Sequence, residues 1–117
     1  LAIAEEIGDV RSKGNHLGNL GNAYYSLGEY QQAIDYYQQA LAIADEIGDV
    51  RSKGNHLGNL GVAYENLKEY QQAIDYYQQA LVVYQALGVP HLIEQVEQNL
   101  ELARQAQAQQ SPSDEEG

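Results

Sequence analysis

The chain has 117 residues, a formal net charge of -11 at pH 7, no cysteine or methionine, and 10 tyrosines as its only large aromatic residues. The missing cysteines exclude disulfides and thiolate metal sites, and the acidity opposes binding to nucleic acid. No apolar run approaches the ~18 residues of a membrane span, and no secretory signal opens the chain. These features predict a cytoplasmic domain without membrane or nucleic-acid partners. The acidity favours a basic or neutral polypeptide as partner, or else serves only solubility.

An internal repeat dominates the sequence. Residues 1–40 and 41–80 differ at only five of 40 positions. These are Glu5/Asp45, Asn22/Val62, Tyr25/Glu65, Ser26/Asn66 and Gly28/Lys68. A repeat of this period is typical of stacked-repeat architectures, and the near identity of the copies indicates recent duplication or deliberate design.

Each repeat contains two helical stretches, A and B. Apolar side chains recur at spacings of three and four residues, which is the period of one helix face. In the first repeat, the stripe of helix A consists of Leu17, Leu20, Tyr24 and Leu27. The pattern predicts helix A over residues 10–27 and 50–67, and helix B over residues 29–47 and 69–87.

Short connections join these helices. Gly48 suits a left-handed C-terminal cap, and Asp49 suits the N-cap of the helix that follows. Such short connections force neighbouring helices to run antiparallel, so successive hairpins stack side by side. We therefore expect an all-α solenoid without strands.

The two ends of the chain differ from the full repeats. Residues 1–8 match the second half of a helix B, and Leu1 in place of an initiator methionine indicates an excerpt or a processed start. A polar capping helix is predicted over residues 89–104, followed by a flexible acidic tail. The full division is a partial helix B at 1–8, repeats at 9–48 and 49–88, the capping helix at 89–104 and the tail at 105–117.

Two short motifs recur in both repeats. They are Leu17-x-x-Leu20-Gly21-x-x-Tyr24 and Ala33-x-x-x-Tyr37, each found again 40 residues later. They resemble the tetratricopeptide-repeat signature, with Leu in place of Trp, Tyr in place of Phe, no final proline, and a period longer than the usual ~34 residues. The longer period is similar to that of LGN and Pins adaptors and of bacterial signalling proteins. The resemblance implies a right-handed superhelix whose A helices line a concave groove for an extended peptide.

A row of polar side chains, most of them amides, lies opposite the core stripe of helix A. It comprises Asn15, Asn19, Asn22 and Ser26 in the first repeat, Asn55, Asn59 and Asn66 in the second, and Asn99 in the cap. Asparagine is a poor helix former, so the row indicates a use beyond solvation. An amide both donates and accepts, and can therefore pair with a peptide backbone of any sequence. The resemblance implies that Asn19 and Asn22 contact such a peptide, and the alternative is a solvated face copied along with the repeat.

We therefore predict a peptide-binding site on the A helices. Its residues are Asn15, Asn19, Asn22, Tyr25, Asn55, Asn59, Glu65 and Asn66. Tyr25 and Glu65 differ between the repeats, so they are expected to tune selectivity. The sequence shows no nucleophile with a base and no cofactor or metal fingerprint, so we expect neither an enzyme nor a cofactor.

An alternative function is a structural spacer whose hairpins only stack and self-associate. Leu1, Ile3 and Ile7 add apolar surface at the N-terminal edge, where the first helix A lacks the cover of a complete preceding repeat. A contact between two such edges closes after one pairing, which predicts a weak homodimer.

Overall fold

The computed structural model describes the backbone of residues 2–116 and the side chains of residues 8–110. In this part of the chain five helices follow one another without a strand. They are α1 (Ala2–Ser26), α2 (Tyr30–Ile47), α3 (Val50–Asn66), α4 (Tyr70–Leu87) and α5 (Pro90–Glu116). Each helix packs against the next one along the chain. The expected all-α stack of helical hairpins is confirmed, and its right-handed superhelix stays a prediction.

Gly48 and Asp49 form the turn between α2 and α3, as the sequence predicts. Gly48 has φ 72°, a left-handed conformation that costs glycine no steric penalty. The Asp49 carboxylate accepts hydrogen bonds from the backbone N–H of Ser52 at 3.2 Å and from its hydroxyl at 2.8 Å. The hydroxyl bond, helped by the N–H bond and by Arg11, lowers the pKa of Asp49. Arg11 of α1 lies 2.6 Å from the same carboxylate, so this cap also links α3 to the first hairpin.

The turns from helix A to helix B share one backbone geometry but use different residues. Gly28 has φ 77° between α1 and α2, and Lys68 has φ 62° at the equivalent place between α3 and α4. Each donates its N–H to a carbonyl in the last turn of the preceding helix, at 2.9 Å. A side chain in this conformation costs roughly 1 kcal/mol or more, so the exchange of Gly28 for Lys68 leaves the second turn strained.

The core lies where the B helices meet the A helices. One cluster joins Ala33, Ile34 and Tyr37 of α2 to Leu60 and Ala63 of α3, and a second cluster joins α3, α4 and α5. Glycines allow the closest contacts. A Cβ atom at Gly61 would lie 2.5 Å from the buried ring of Tyr77, and one at Gly21 would lie 2.6 Å from Tyr37. Only glycine therefore lets these helices approach so closely.

α1 differs from the predicted partial helix and turn. The repeat predicts a break after residue 8, but α1 continues through Gly8 and Asp9 to Ser26. The equivalent turn at Gly48 is stabilised because α2 and α3 pack against each other. A turn at Gly8 would leave a preceding helix of only about two turns, which is marginal in water, whereas continuing the helix keeps its backbone hydrogen bonds.

α5 begins at Pro90 and extends past the predicted end of the capping helix, to Glu116. A flexible tail was expected from residue 105, but the backbone of residues 105–110 is helical. The reason is that glutamine and alanine, which dominate this segment, favour a helix. Glu94, Glu97 and Glu101 are exposed, as expected for a polar cap. The side chains from residue 111 onward lie outside the described residues, as do those of Leu1, Ile3 and Ile7, on which the predicted homodimer depends.

Candidate functional site

A groove runs between α1 and α3 and continues onto α5. Three recesses along it have volumes of about 430, 310 and 320 Å3. Their amide side chains are Asn15, Asn19 and Asn22 of α1, Asn55 and Asn59 of α3, and Gln95 and Asn99 of α5. We call this surface the amide groove. Asn59 lines all three recesses, so it lies at the centre of the groove.

The structure brings six of the eight predicted site residues together in the amide groove. These are Asn15, Asn19, Asn22, Tyr25, Asn55 and Asn59. Glu65 and Asn66 do not line its recesses, and both make internal hydrogen bonds. Glu65 accepts from Tyr77 at 2.7 Å, and the amide nitrogen of Asn66 donates to the Tyr25 hydroxyl at 3.0 Å. Asn66 therefore positions Tyr25 at the groove edge, and a role of all eight residues in ligand binding stays a prediction.

Buried tyrosines orient two of the groove amides. The Tyr37 hydroxyl donates to Oδ1 of Asn22 at 2.6 Å, and the Tyr84 hydroxyl donates to Oδ1 of Asn55 at 2.7 Å. Burial raises the pKa of both tyrosines, which keeps the hydroxyls protonated as donors. Each of these amide oxygens accepts from a tyrosine, while neither NH2 group donates to another group among the described residues, so both NH2 groups remain available as donors. The amide row alone gave no sign of these contacts.

The remaining groove asparagines keep both of their hydrogen-bonding functions. Within the described residues, Asn15, Asn19, Asn59 and Asn99 bond to no other side chain, and none of their polar atoms is buried without a partner. Each can therefore donate an N–H and accept at its oxygen, as a peptide unit requires.

The lining of the amide groove is uncharged, although the chain carries a net charge of -11. None of the described side chains that line its three recesses belongs to aspartate, glutamate, lysine or arginine. His56 lines the recess between α1 and α3, and burial lowers the pKa of its imidazole, so it is neutral at pH 7. The groove is therefore suited to recognition by hydrogen bonding and shape.

The α5 end of the groove contains residues that the sequence analysis did not assign to the site. Gln95 takes the position that Asn55 has in the preceding repeat, and it lines the same recess as Asn99. Val62, Leu92 and Val96 add apolar surface there. Aligning the third copy position by position identifies Gln95. Val62, Leu92 and Val96 stand where the preceding copy has Asn22, Ser52 and His56, so the pattern of polar residues gives no signal for them.

The described part of the chain contains neither a group of metal-binding side chains nor a helix that could span a membrane. Within residues 8–110, no three histidine or acidic side chains are grouped closely enough to hold a metal ion. None of the helices described contains an apolar stretch long enough to cross a bilayer.

Comparison with known families gives one match. A family model described as tetratricopeptide repeat matches residues 1–46 and, in a second and overlapping match, residues 12–86. The matched region includes both copies of the two recurring motifs and more than half of the chain. No curated protein matches the chain.

Proposed function

The chain belongs to the tetratricopeptide-repeat family, and from this premise we propose that it binds an extended segment of a partner polypeptide in the amide groove. Repeats of this family mediate protein–protein interactions and are not themselves enzymes. The observation that carries the proposal is the continuous, uncharged row of amides across three helices, with Asn59 at its centre.

The orientation of the amides defines the chemistry that the ligand must offer. The NH2 groups of Asn22 and Asn55 suit carbonyl oxygens of a peptide backbone, since the tyrosines already bind their own oxygens. Asn19 and Asn59 suit a peptide unit through both its N–H and its C=O. Contacts of this kind do not depend on side-chain identity, so a backbone in extended conformation is the proposed ligand.

Charge outside the groove affects which segments approach it. The acidic surface repels acidic chains over the distance of a Debye length, about 8 to 10 Å at physiological salt. A neutral or basic segment is therefore the proposed partner. The same proposal includes an adaptor role in the cytoplasm, similar to that of LGN-type and Pins-type proteins or of bacterial signalling proteins.

Peptide selection followed by substitution tests this proposal. Random 12-residue peptides are selected on the parent chain, and their dissociation constants are measured for the parent and for Asn19→Ala/Asn59→Ala. Each lost amide contact costs about 1 kcal/mol, so we expect affinity to fall roughly thirtyfold. Folding should be unchanged, because neither amide bonds to another described side chain.

A matched control separates the groove from the rest of the surface. Gln39 is an exposed amide on α2 that lies outside the amide groove. Gln39→Ala should leave affinity unchanged. Selected peptides that bind the double variant as tightly as the parent would place the site elsewhere.

A structural spacer that self-associates is the second proposal. It is favoured by two exposed leucines, Leu20 of α1 and Leu27 directly after it, because Leu60 and Leu67 at the equivalent places of the second repeat are less exposed. Sedimentation over a wide concentration range, for the parent and for Ile3→Asp/Ile7→Asp, tests the weak homodimer through the N-terminal edge. A monomer at all concentrations, together with a selection that yields no peptide, would leave only a non-associating spacer.

A further inference from the structure

Two recesses of the amide groove are built from equivalent positions of successive repeats. We call them the α1–α3 recess, which Asn15 and Asn19 line, and the α3–α5 recess, which Gln95 and Asn99 line. Each position that lines the first has its equivalent, 40 residues later, in the lining of the second. Most of these positions keep a glycine or an amide, so both recesses offer a peptide backbone the same kind of hydrogen-bonding group.

The positions that differ in kind between the two recesses all lose a polar side chain. Val62, Leu92 and Val96 of the α3–α5 recess stand where the α1–α3 recess has Asn22, Ser52 and His56. An amide, a hydroxyl and an imidazole are thus replaced by three aliphatic groups. The α3–α5 recess therefore keeps the amides of the groove but combines them with an apolar wall.

The apolar wall continues into the core of the molecule. Val96 is buried, while Val62 and Leu92 are half-buried and pack against the same core cluster. The buried Tyr84 also lines this recess, and its hydroxyl already donates to Asn55 at 2.7 Å. Water beside the three aliphatic side chains finds no hydrogen-bonding partner on them, so its displacement by an apolar group favours binding.

We propose that the α3–α5 recess binds one apolar side chain of the peptide and so determines which residue of the partner lies there. This inference rests on the proposed function, because the side chain belongs to the peptide in the amide groove. Alternate side chains of an extended segment point to the same side, so one can enter a recess while the backbone bonds to Asn59 and Asn99. Its volume of about 320 Å3 lies at the lower end of ligand pockets, about 300 to 1,000 Å3, which suits a single side chain.

The same comparison defines what the two recesses reject. A charged side chain in the α3–α5 recess would lose hydration beside Val62, Leu92 and Val96, and no charged residue lines the recess to compensate. The α1–α3 recess keeps polar groups at those positions and therefore suits a small or polar side chain. The inferred ligand is an extended segment with one apolar anchor residue, and its basic residues lie outside the α3–α5 recess.

A serine scan of a peptide selected on the parent chain locates the anchor. Each residue of the 12-residue peptide is replaced by serine in turn, and dissociation constants are measured by fluorescence anisotropy. We expect one apolar residue whose replacement weakens binding to the parent chain about tenfold or more, the effect of burying one apolar side chain.

Val62→Asn then tests whether that residue lies in the α3–α5 recess. It restores the residue of the first repeat at its equivalent position, so the chain should fold as before. The original peptide should bind about fivefold more weakly, and the serine replacement of the anchor should then cost only about twofold. A reduced cost is expected because the anchor has already lost part of its apolar contact.

Leu92→Ser provides a second variant that is specific to this recess. Of the three recesses, Leu92 lines only this one, whereas Val62 also lines a neighbouring recess. It should show the same coupling to the anchor residue, and circular dichroism verifies that each variant is folded. Val82→Asn is the matched control, because it makes the same exchange at an exposed valine of α4 outside the amide groove. It should leave every affinity unchanged.

The variant Asn19→Ala/Asn59→Ala separates this inference from the proposed function. Peptides that lose affinity for it, but contain no residue coupled to Val62 or Leu92, would overturn the apolar anchor and leave peptide binding in the groove intact. Peptides that bind the amide variant and both recess variants as tightly as the parent would overturn both proposals.

Discussion

The hydroxyl of Tyr77 donates a hydrogen bond of 2.7 Å to Oε1 of Glu65. The equivalent Tyr37 donates instead to Asn22 at 2.6 Å. Val62 has replaced asparagine in the second repeat and offers no side-chain acceptor, while Glu65 has replaced tyrosine and does. Two of the five differences between the repeats are therefore coupled, since each repeat keeps one acceptor for its buried tyrosine.

Glu65→Ala is expected to lower the free energy of unfolding by about 1 to 3 kcal/mol, because it leaves the buried Tyr77 hydroxyl without an acceptor. Burial, with the hydrogen bond to Glu65 and its charge, raises the pKa of Tyr77, so the hydroxyl stays a donor. Adding Val62→Asn should recover most of the loss by restoring the arrangement of the first repeat. Urea denaturation measures both changes, and a double variant no more stable than Glu65→Ala would contradict the coupling.

Gly61→Ala and Gly58→Ala should change stability in opposite directions. Alanine at position 61 would place its Cβ 2.5 Å from the Tyr77 ring, whereas a Cβ at Gly58 meets nothing within 4 Å. We expect Gly61→Ala to destabilise the chain by about 1 to 3 kcal/mol and Gly58→Ala to stabilise it by up to about 1 kcal/mol. The midpoints of urea denaturation test this, and equal shifts would mean that helix propensity alone decides.

Lys68→Gly should stabilise the chain by about 0.5 to 1 kcal/mol. It removes the steric cost of a side chain at φ 62°. The gain is reduced because glycine has greater conformational freedom than lysine in the unfolded state. Lys68→Ala provides the control, since it removes the charge and keeps the strained backbone. Thermal denaturation should therefore separate the two variants, and an equal gain from Lys68→Ala would assign the effect to charge.

His56 should make stability depend on pH just below neutrality. Burial lowers the pKa of its imidazole from the usual value of 6.5, against a smaller opposite effect of Asp49. As the pH falls, the unfolded chain therefore binds the proton before the folded chain does. The contribution of neutral His56 to the free energy of unfolding is complete above pH 6.5, and it declines as the pH falls from 6.5 to the pKa of the folded state. Urea denaturation between pH 7.5 and about 5 should show a shallower decline for His56→Gln than for the parent. His16→Gln, at the exposed equivalent position, is the matched substitution for comparison.

Much of the fold could be predicted because local chemistry determines it. Gly48 and Asp49 form the turn expected of a glycine cap followed by an aspartate cap. Gly8 and Asp9 are the same residues and predict the same turn, but the helix continues through them. This could not be predicted, because the turn at Gly48 depends on packing between two full-length helices. Pattern alone cannot show whether a neighbouring helix is present.

The candidate site was only partly predictable for a similar reason. The amide row gave the positions of Asn19 and Asn59 in the groove, since a helix face follows directly from spacing. The hydrogen bonds from Tyr37 to Asn22 and from Tyr84 to Asn55 join residues on different helices. Their geometry depends on how the helices cross, which spacing within one helix does not determine.

The identity of residues 10–21 with residues 50–61 has a practical consequence for measurements on this chain. The intrinsic rate of amide hydrogen exchange depends on neighbours in sequence, and Leu20 and Leu60 each lie between the same asparagine and glycine. Any difference in protection between these two amides therefore reports local opening and not sequence. The molecule contains its own internal reference for the local stability that one packed helix confers.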